Sequence, residues 1–342
     1  MLKALVFHSP KQLIWEDVPD PTIDDDQILV ATRAVGVCGS DLHGYLGITG
    51  RRIPPMIMGH EFSGEVVKTG RLVSKLSIGD RVCIQPIQFC GTCEYCVAGF
   101  ENVCPNKKIL GVMDVNGAMA ELVAVREKSA FALEDRVDFL DGCMVEPFSV
   151  AHSAVKISSV LEGKDVCIIG MGTIGLCILQ FAKMAGAKRI FVVDISDMRL
   201  ATAAGLGADV LFNPKKDDPV KILQEQTEQM GTDIVFEAVG DSLTARLSVD
   251  FTRPKGHIIW VGNSSRMVEI DMQKVVTTEL IVQGVYGFSI ATFKETLDLI
   301  SDGKLKPKEI ISINEPLSQG GAVFEKMLSS RDSYIKAVLT NG

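Results

Sequence analysis

The chain lacks an excess of positive charge. Its 35 Lys plus Arg face 43 Asp plus Glu, a formal net charge of -8, so it offers no basic face of the kind that counterion release from nucleic acid requires. DNA or RNA is not expected as a main partner. A secretion signal is not expected either: before His8 there is only a four-residue apolar run, Ala4 to Phe7, shorter than the apolar core of such a signal, and a cytoplasmic location is expected. Nor is there a membrane span. Val166 to Ala182 runs seventeen residues without a charge, but Gly170, Gly172 and Gly175 interrupt it, and the run falls short of a bilayer crossing. Internal repeats and low-complexity linkers are absent.

What is present is an ordinary globular composition, 46% hydrophobic and 23% charged over 342 residues, at a length that suggests two packed domains. Nine cysteines would fit a disulfide scaffold in a small secreted protein. Here the chain is long, the count is odd, and four of the nine crowd into fifteen positions, which in a reducing compartment reads as metal binding.

The first third contains short β-type runs, LKALVF, QILVAT, SGEVVKTG, GDRVCIQP and AELVAVRE, punctuated by Pro and Gly. They predict an antiparallel, barrel-like domain. After Asp165 the texture changes to apolar runs separated by helical stretches: DVCIIG, RIFVVD, DVLFN, DIVFEAVG, HIIWVG and LIVQGV. Six strands alternating with helices build a parallel, doubly wound sheet, so the fold class is α/β with a second, β-rich domain. A helix over about residues 137 to 158, broken near Pro147, would carry the chain between the two. The tail after Gly287 holds a further amphipathic helix, TFKETLDLI, and a final strand, YIKAVLT; the pattern alone does not say which domain receives it.

Within the second region, Gly170-Met-Gly172-Thr173-Ile174-Gly175 follows a strand and opens an apolar helix, and Asp194 ends the next strand nineteen residues past the last glycine. Gly170 permits the tight turn, Gly172 lets the backbone approach a pyrophosphate at the positive end of the helix, and Gly175 allows close helix–strand packing. Asp194 would hydrogen-bond the adenosine ribose, although a helix cap is its ordinary alternative role. The cofactor expected is NAD rather than NADP, because a 2'-phosphate would face the Asp194 carboxylate and no Arg follows at once. Arg199, five residues on, would pack against the adenine.

Cys90, Cys93, Cys96 and Cys104 stand as C-x2-C-x2-C-x7-C, a spacing that lets one loop wrap four thiolates tetrahedrally round a structural zinc. An iron–sulfur cluster is the competing reading, but the x7 gap is wrong for it. Four unliganded core cysteines fit poorly with the turn-rich polar loop around them. Cys83, Cys143, Cys167 and Cys177 lie in apolar runs and read as core.

Three further clusters, Cys38-Gly-Ser40-Asp41-Leu-His43, Gly59-His60-Glu61 and Val145-Glu146-Pro147, are individually unremarkable. Together with the quartet and the glycine turn, in this order, they resemble the zinc-dependent medium-chain dehydrogenase/reductase family along essentially the whole chain. The resemblance implies a GroES-like catalytic domain of residues 1–150 and 288–342, with a structural-zinc lobe at about 88–106, and a Rossmann domain of residues 151–287. It makes Cys38, His60 and Glu61 ligands of a catalytic zinc, with Glu146 as a fourth ligand, direct or through water, so that two zinc ions are expected per chain. Asp41 would hold the zinc-bound imidazole in the correct tautomer, and Ser40 and His43 match the family's proton relay. A glutamate at 146, where typical alcohol dehydrogenases carry cysteine, looks like the polyol-dehydrogenase branch, which includes sorbitol and galactitol-phosphate dehydrogenases. The harder donor set would also accept manganese or cobalt. His152 is offset by one position from many relatives and reads as a packing residue.

The implied chemistry is oxidation of a secondary hydroxyl of a polyol or polyol phosphate, the metal acidifying the alcohol and the nicotinamide accepting hydride. Tyr45, Arg51 and Arg52 lie in the loop that in the family borders the substrate, and the paired arginines could clamp a phosphate; a solvated loop tip is the alternative. A threonine or diol dehydrogenase of the same family is the enzymatic runner-up. Zinc-independent quinone or enoyl reductases share the fold but lack both metal sets, and a non-catalytic member would not be expected to keep an intact relay. Pairing into a homodimer or homotetramer through the LIVQGVYGF strand is expected from the resemblance.

Overall fold

The computed structural model describes residues 1–341. The chain divides into two compact units, Met1–Glu146 with Phe288–Gly342, and Pro147–Gly287. The first opens with β1 (Leu2–Ser9), β2 (Gln12–Val18) and β3 (Gln27–Val37), then the short helix α1 (Gly39–Tyr45), β4 (Met56–Ile57), β5 (Glu61–Thr69) and β6 (Arg81–Ile84). A small hairpin, β7 (Ile87–Gln88) with β8 (Lys108–Ile109), brackets the cysteine loop and its one-turn helix α2 (Glu94–Val97), and β9 (Leu122–Arg126) and β10 (Ala130–Ala132) follow. Next comes α3 (Phe139–Ile157), in which Pro147 sits inside a continuous helix rather than at the expected break. Proline lacks one backbone donor, and here the turns on either side carry the helix past that missing rung.

The second unit alternates strand and helix as the apolar runs predict. It contains β11 (Asp165–Ile169), α4 (Thr173–Met184), β12 (Arg189–Val193), α5 (Asp197–Gly205), β13 (Val210–Phe212), α6 (Pro219–Gln226), β14 (Thr232–Glu237), α7 (Ser242–Phe251), β15 (Thr252–Trp260), α8 (Met272–Thr277) and β16 (Ile281–Gly284). The sheet order is β13-β12-β11-β14-β15-β16, with every neighbouring pair parallel. This is the doubly wound order in which the chain reverses beside β11, and ligands bind at the carboxyl ends of strands at such a reversal. Cys167, Ile169, Phe191, Val193 and Val235 are buried in its core, as unbroken apolar strands covered by helices should be.

The tail, with α9 (Ile290–Ser301), β17 (Ile311–Pro316), α10 (Gly320–Ser329) and β18 (Lys336–Thr340), returns to the first unit. Its seven-stranded sheet runs β10-β6-β5-β3-β18-β17, with β9 also paired to β3, while β2-β1-β4 form a second sheet. Most pairs are antiparallel, but β17 and β18 run parallel. Val35, Phe62, Ile84, Met119, Phe324 and Leu339 meet in one core, each side chain contributing about 1.5–3 kcal/mol through removal of apolar surface from water. No helix among the described residues is long and apolar enough to cross a membrane.

Candidate active site and metal centres

Cys38 follows the end of β3 and caps α1. Its thiol accepts from Ser40 N at 3.4 Å, while the Asp41 carboxylate returns to Cys38 N at 3.2 Å. The two reciprocal contacts form a capping box, which fixes the thiol where the strand turns into the helix. His60 and Glu61 are delivered at the start of β5. The preceding Gly59 has φ +97°, and a side chain there would run into Met119 and Val35, so the turn that aims His60 requires glycine. Glu61 pairs across the sheet with Gly36, whose missing side chain leaves room for the carboxylate.

Cys38, His60 and Glu61 thereby place one sulfur, one nitrogen and one carboxylate oxygen within 4.8 Å of one another. His60 and Glu61 are buried. Burial alone would lower the His60 pKa, but Asp41 and Cys38 outweigh it and raise it well above the usual imidazole range. A field that favours a proton on His60 favours a metal cation in the same place, and thiolate, imidazole and carboxylate together suit zinc. Asp41 Oδ1 lies 3.6 Å from His60 Nδ1. Glu146 is not among the three residues whose ligand atoms lie within 4.8 Å of one another. Burial, against the lowering pull of His60, pushes the Glu146 carboxyl up to about 7.

The cysteine quartet is assembled too. Sulfur separations are 3.9 Å for Cys90–Cys96, 3.4 Å for Cys93–Cys96, 3.8 Å for Cys93–Cys104 and 3.6 Å for Cys90–Cys104. A zinc–sulfur bond of about 2.3 Å implies tetrahedron edges of about 3.8 Å, so the four thiols fit a structural zinc.

In the second unit Gly170 has φ +93°, and a Cβ on Gly175 would fall onto the Gly170 carbonyl oxygen. Both glycines are therefore demanded by the chain itself. At Gly172, the N-cap of α4, a Cβ would meet nothing within 4 Å. The space it would fill lies at the positive helix end where Thr173 and Ile174 begin the first turn, which fits a pyrophosphate. Asp194 accepts from Met171 N at 2.7 Å and Ser196 N at 2.8 Å, and the Arg199 guanidinium stands 3.9 Å from its carboxylate. The acid is thus tied to the glycine turn, while the cap of α5 is Ser196, whose side chain accepts from Arg199 N.

Two expected substrate residues are placed elsewhere. Tyr45 is 3% exposed; its hydroxyl donates to Glu325 and lies 3.1 Å from Lys11 O, and its ring packs edge-on against Phe324. Arg52 is buried in an ion pair with Asp41 at 2.6 Å, so no paired-arginine clamp forms, and Arg51 alone remains exposed. The cause is a slot: Gly44 on α1 leaves space for the Arg52 stem, and a Cβ at 44 would overlap it. His152 stacks on Phe181 at 4.6 Å between ring centroids.

One residue escaped the motif reading. Lys336, fully buried in β18, donates to the Glu61 carboxylate and to Val37 O. The signal available was a lone lysine inside the apolar run YIKAVLT, since a buried ammonium demands a partner.

Comparison with known proteins agrees with this geometry. The family described as "Alcohol dehydrogenase GroES-like domain" matches residues 24–135, and "Zinc-binding dehydrogenase" matches residues 173–302. The chain is 36% identical to L-threonine 3-dehydrogenase of Symbiobacterium thermophilum, over 94% of this chain and 93% of that one. The chain belongs to the zinc-dependent medium-chain dehydrogenase/reductase family. It is 29% identical to sorbitol dehydrogenase of Bacillus subtilis, over 99% of this chain and 97% of its relative. The crystal structure of galactitol-1-phosphate dehydrogenase from Escherichia coli superimposes with a TM-score of 0.92 at 28% identity, covering 99% of this chain and 100% of the other. The reaction class is therefore that of an alcohol dehydrogenase.

Proposed function

We propose that this dehydrogenase oxidises a secondary hydroxyl of a sugar alcohol or sugar-alcohol phosphate, with NAD as acceptor. The observation that carries the reading is the donor set: one sulfur at Cys38 beside His60 and Glu61, with Glu146 as a second, half-buried carboxylate whose charge interacts with those of His60 and Glu61. An oxygen-rich site suits a hydroxyl-rich substrate, because carboxylates near the metal also accept hydrogen bonds from neighbouring hydroxyls.

When bound, zinc supplies Lewis acidity toward an alcohol and NAD supplies the hydride acceptor. The chain's own groups do the remainder. Cys38, His60 and Glu61 would hold the first ion, with Glu146 as a further ligand, direct or through water, and the cysteine quartet would hold the second. Asp41, 3.6 Å from the Nδ1 edge of His60, would set the tautomer of the zinc-bound imidazole. Ser40, exposed on α1, takes the substrate proton, and His43, three residues on and so on the same helical face, passes it toward solvent. The glycine turn and the first residues of α4 receive the pyrophosphate, Asp194 the ribose hydroxyls, and Arg199 the adenine.

Recognition of phosphate rests on Arg51 alone, given the burial of Arg52. A homodimer or homotetramer joined along the β16 edge of the six-stranded sheet, where Ile281 is 54% exposed, completes the proposal; elution of the protein as a monomer in gel filtration would remove it. The 36% identity to a threonine dehydrogenase keeps an amino-alcohol substrate as the second reading. Nicotinamide reduction across polyols, polyol phosphates, diols and threonine, together with metal analysis, decides. Turnover of polyols with NAD and about two ions per chain is expected. Turnover of threonine alone selects the second reading, and absence of turnover with the whole panel overturns both.

A further inference from the structure

Arg52 makes contacts that exceed those of a counter-ion. The same Nη2 that binds Asp41 Oδ1 at 2.6 Å also donates to Ser40 Oγ at 3.3 Å, and Nη1 is anchored on Arg51 O at 3.1 Å. The backbone holding it is pinned, since Met113 N donates to Arg51 O and Ile53 N to Met113 O, both at 2.9 Å. Its stem fills the space left by Gly44, one helical turn beyond Ser40 on the same face of α1. Asp41, its partner, in turn accepts from Cys38 N and flanks His60. One rigid guanidinium thus reaches the serine of the relay directly and two residues of the cation site through a single carboxylate.

A guanidinium only donates. Ser40 Oγ must therefore accept from Arg52, and its single proton is left to be donated elsewhere. A cation at hydrogen-bond distance also favours negative charge developing on that oxygen. We infer that Arg52 is a positioning residue of the reaction, orienting and polarising the Ser40 hydroxyl so that it relays the substrate proton. This rests on the dehydrogenase reading above. The proton balance is unaltered: Ser40 gains the substrate hydroxyl's proton as it releases its own, and Arg52 keeps all of its protons.

The alternative is a purely structural Arg52 that only neutralises Asp41. A double-mutant cycle separates the two, because residues acting as a unit are not additive. Arg52→Met should lower kcat about 10- to 100-fold, within what a positioned proton-transfer group contributes, with KM changed less than about threefold and zinc retained through a competing chelator as in the wild type. In a Ser40→Ala background the same change should lower kcat less than about twofold. Equal losses in both backgrounds, or a wild-type kcat in Arg52→Met, would overturn the inference.

Should the methionine variant fail to fold, with Asp41 left unpaired, Arg52→Lys carries the test. An ammonium keeps the charge but not the fixed fork, so kcat should fall about 3- to 10-fold when Ser40 is present and be unaltered in the Ser40→Ala background. Equal effects again overturn the inference. A wild-type enzyme that turns over none of the alcohol panel overturns the dehydrogenase reading itself, a result separate from any outcome of the cycle.

Discussion

Lys336 Nζ bridges the Glu61 carboxylate and the Val37 carbonyl oxygen, the latter at 3.1 Å, so that a strand near the carboxyl end supplies the positive charge facing a metal ligand. Removing one partner of a buried pair leaves a bare charge and typically costs about 3–5 kcal/mol. Lys336→Met should therefore lower the melting temperature of the metal-free protein markedly. Added zinc replaces the missing positive charge beside Glu61, and its stabilisation of the variant should exceed that of the wild type. Thermal melts with and without chelator measure both effects, and identical zinc-induced shifts would sink the idea.

Gly175→Ala tests the glycine turn in isolation. The new Cβ would fall onto the Gly170 carbonyl oxygen, which a side-chain rotation cannot relieve because the obstacle is backbone. NADH binding, followed by fluorescence, should be lost while metal content stays at about two ions per chain. NADH affinity equal to that of the wild type would show that the turn tolerates the methyl group and that the packing argument fails.

How much of this was legible in the sequence depends on the range of the interactions. The glycine turn, the cysteine loop and the alternating strands are local, and each carries its spacing within about thirty residues. Cys38, His60 and Glu61 were nameable by motif, but their convergence depends on the β3–β5 register and on Gly59. Tyr45 and Arg52 were misplaced because a loop sequence does not reveal a slot. Only the folded chain shows that Gly44 vacates the space Arg52 enters, or that Glu325 waits for Tyr45. Lys336 lies 275 positions from Glu61, beyond any local pattern.

Asp194 should set cofactor choice. Its carboxylate is held by two backbone N–H groups, so a 2'-phosphate would meet a fixed negative charge. Asp194→Asn should reduce the ratio of kcat/KM for NAD over NADP at least about tenfold, through loss of ribose binding and of repulsion together. Kinetics with both cofactors give the answer, and an unchanged ratio would place the discrimination elsewhere.

The cysteine loop predicts unequal thiol chemistry once its metal is removed. The backbone N–H groups of Thr92 and Cys93 hold the Cys90 pKa down to about 6, whereas burial drives that of Cys96 upward from its ordinary value. A lowered thiol pKa means thiolate, and hence nucleophile, at lower pH. In chelator-treated protein, iodoacetamide should modify Cys90 with half-maximal rate near pH 6 and Cys96 last, and added zinc should protect all four. Peptide mass mapping across pH reads the order; four indistinguishable profiles would refute the assignment.

The position of β18 between β3 and β17 has a consequence for how the protein is made. Translation completes Pro147–Gly287 as one uninterrupted stretch, so that unit can close while the ribosome is still working. The first unit, though begun earlier, must wait with an open sheet until Lys336–Thr340 emerge. The lysine that balances Glu61 arrives on that same strand, so the ligand set at Cys38, His60 and Glu61 reaches its final charge only once β18 is in place, long after its own residues were synthesised.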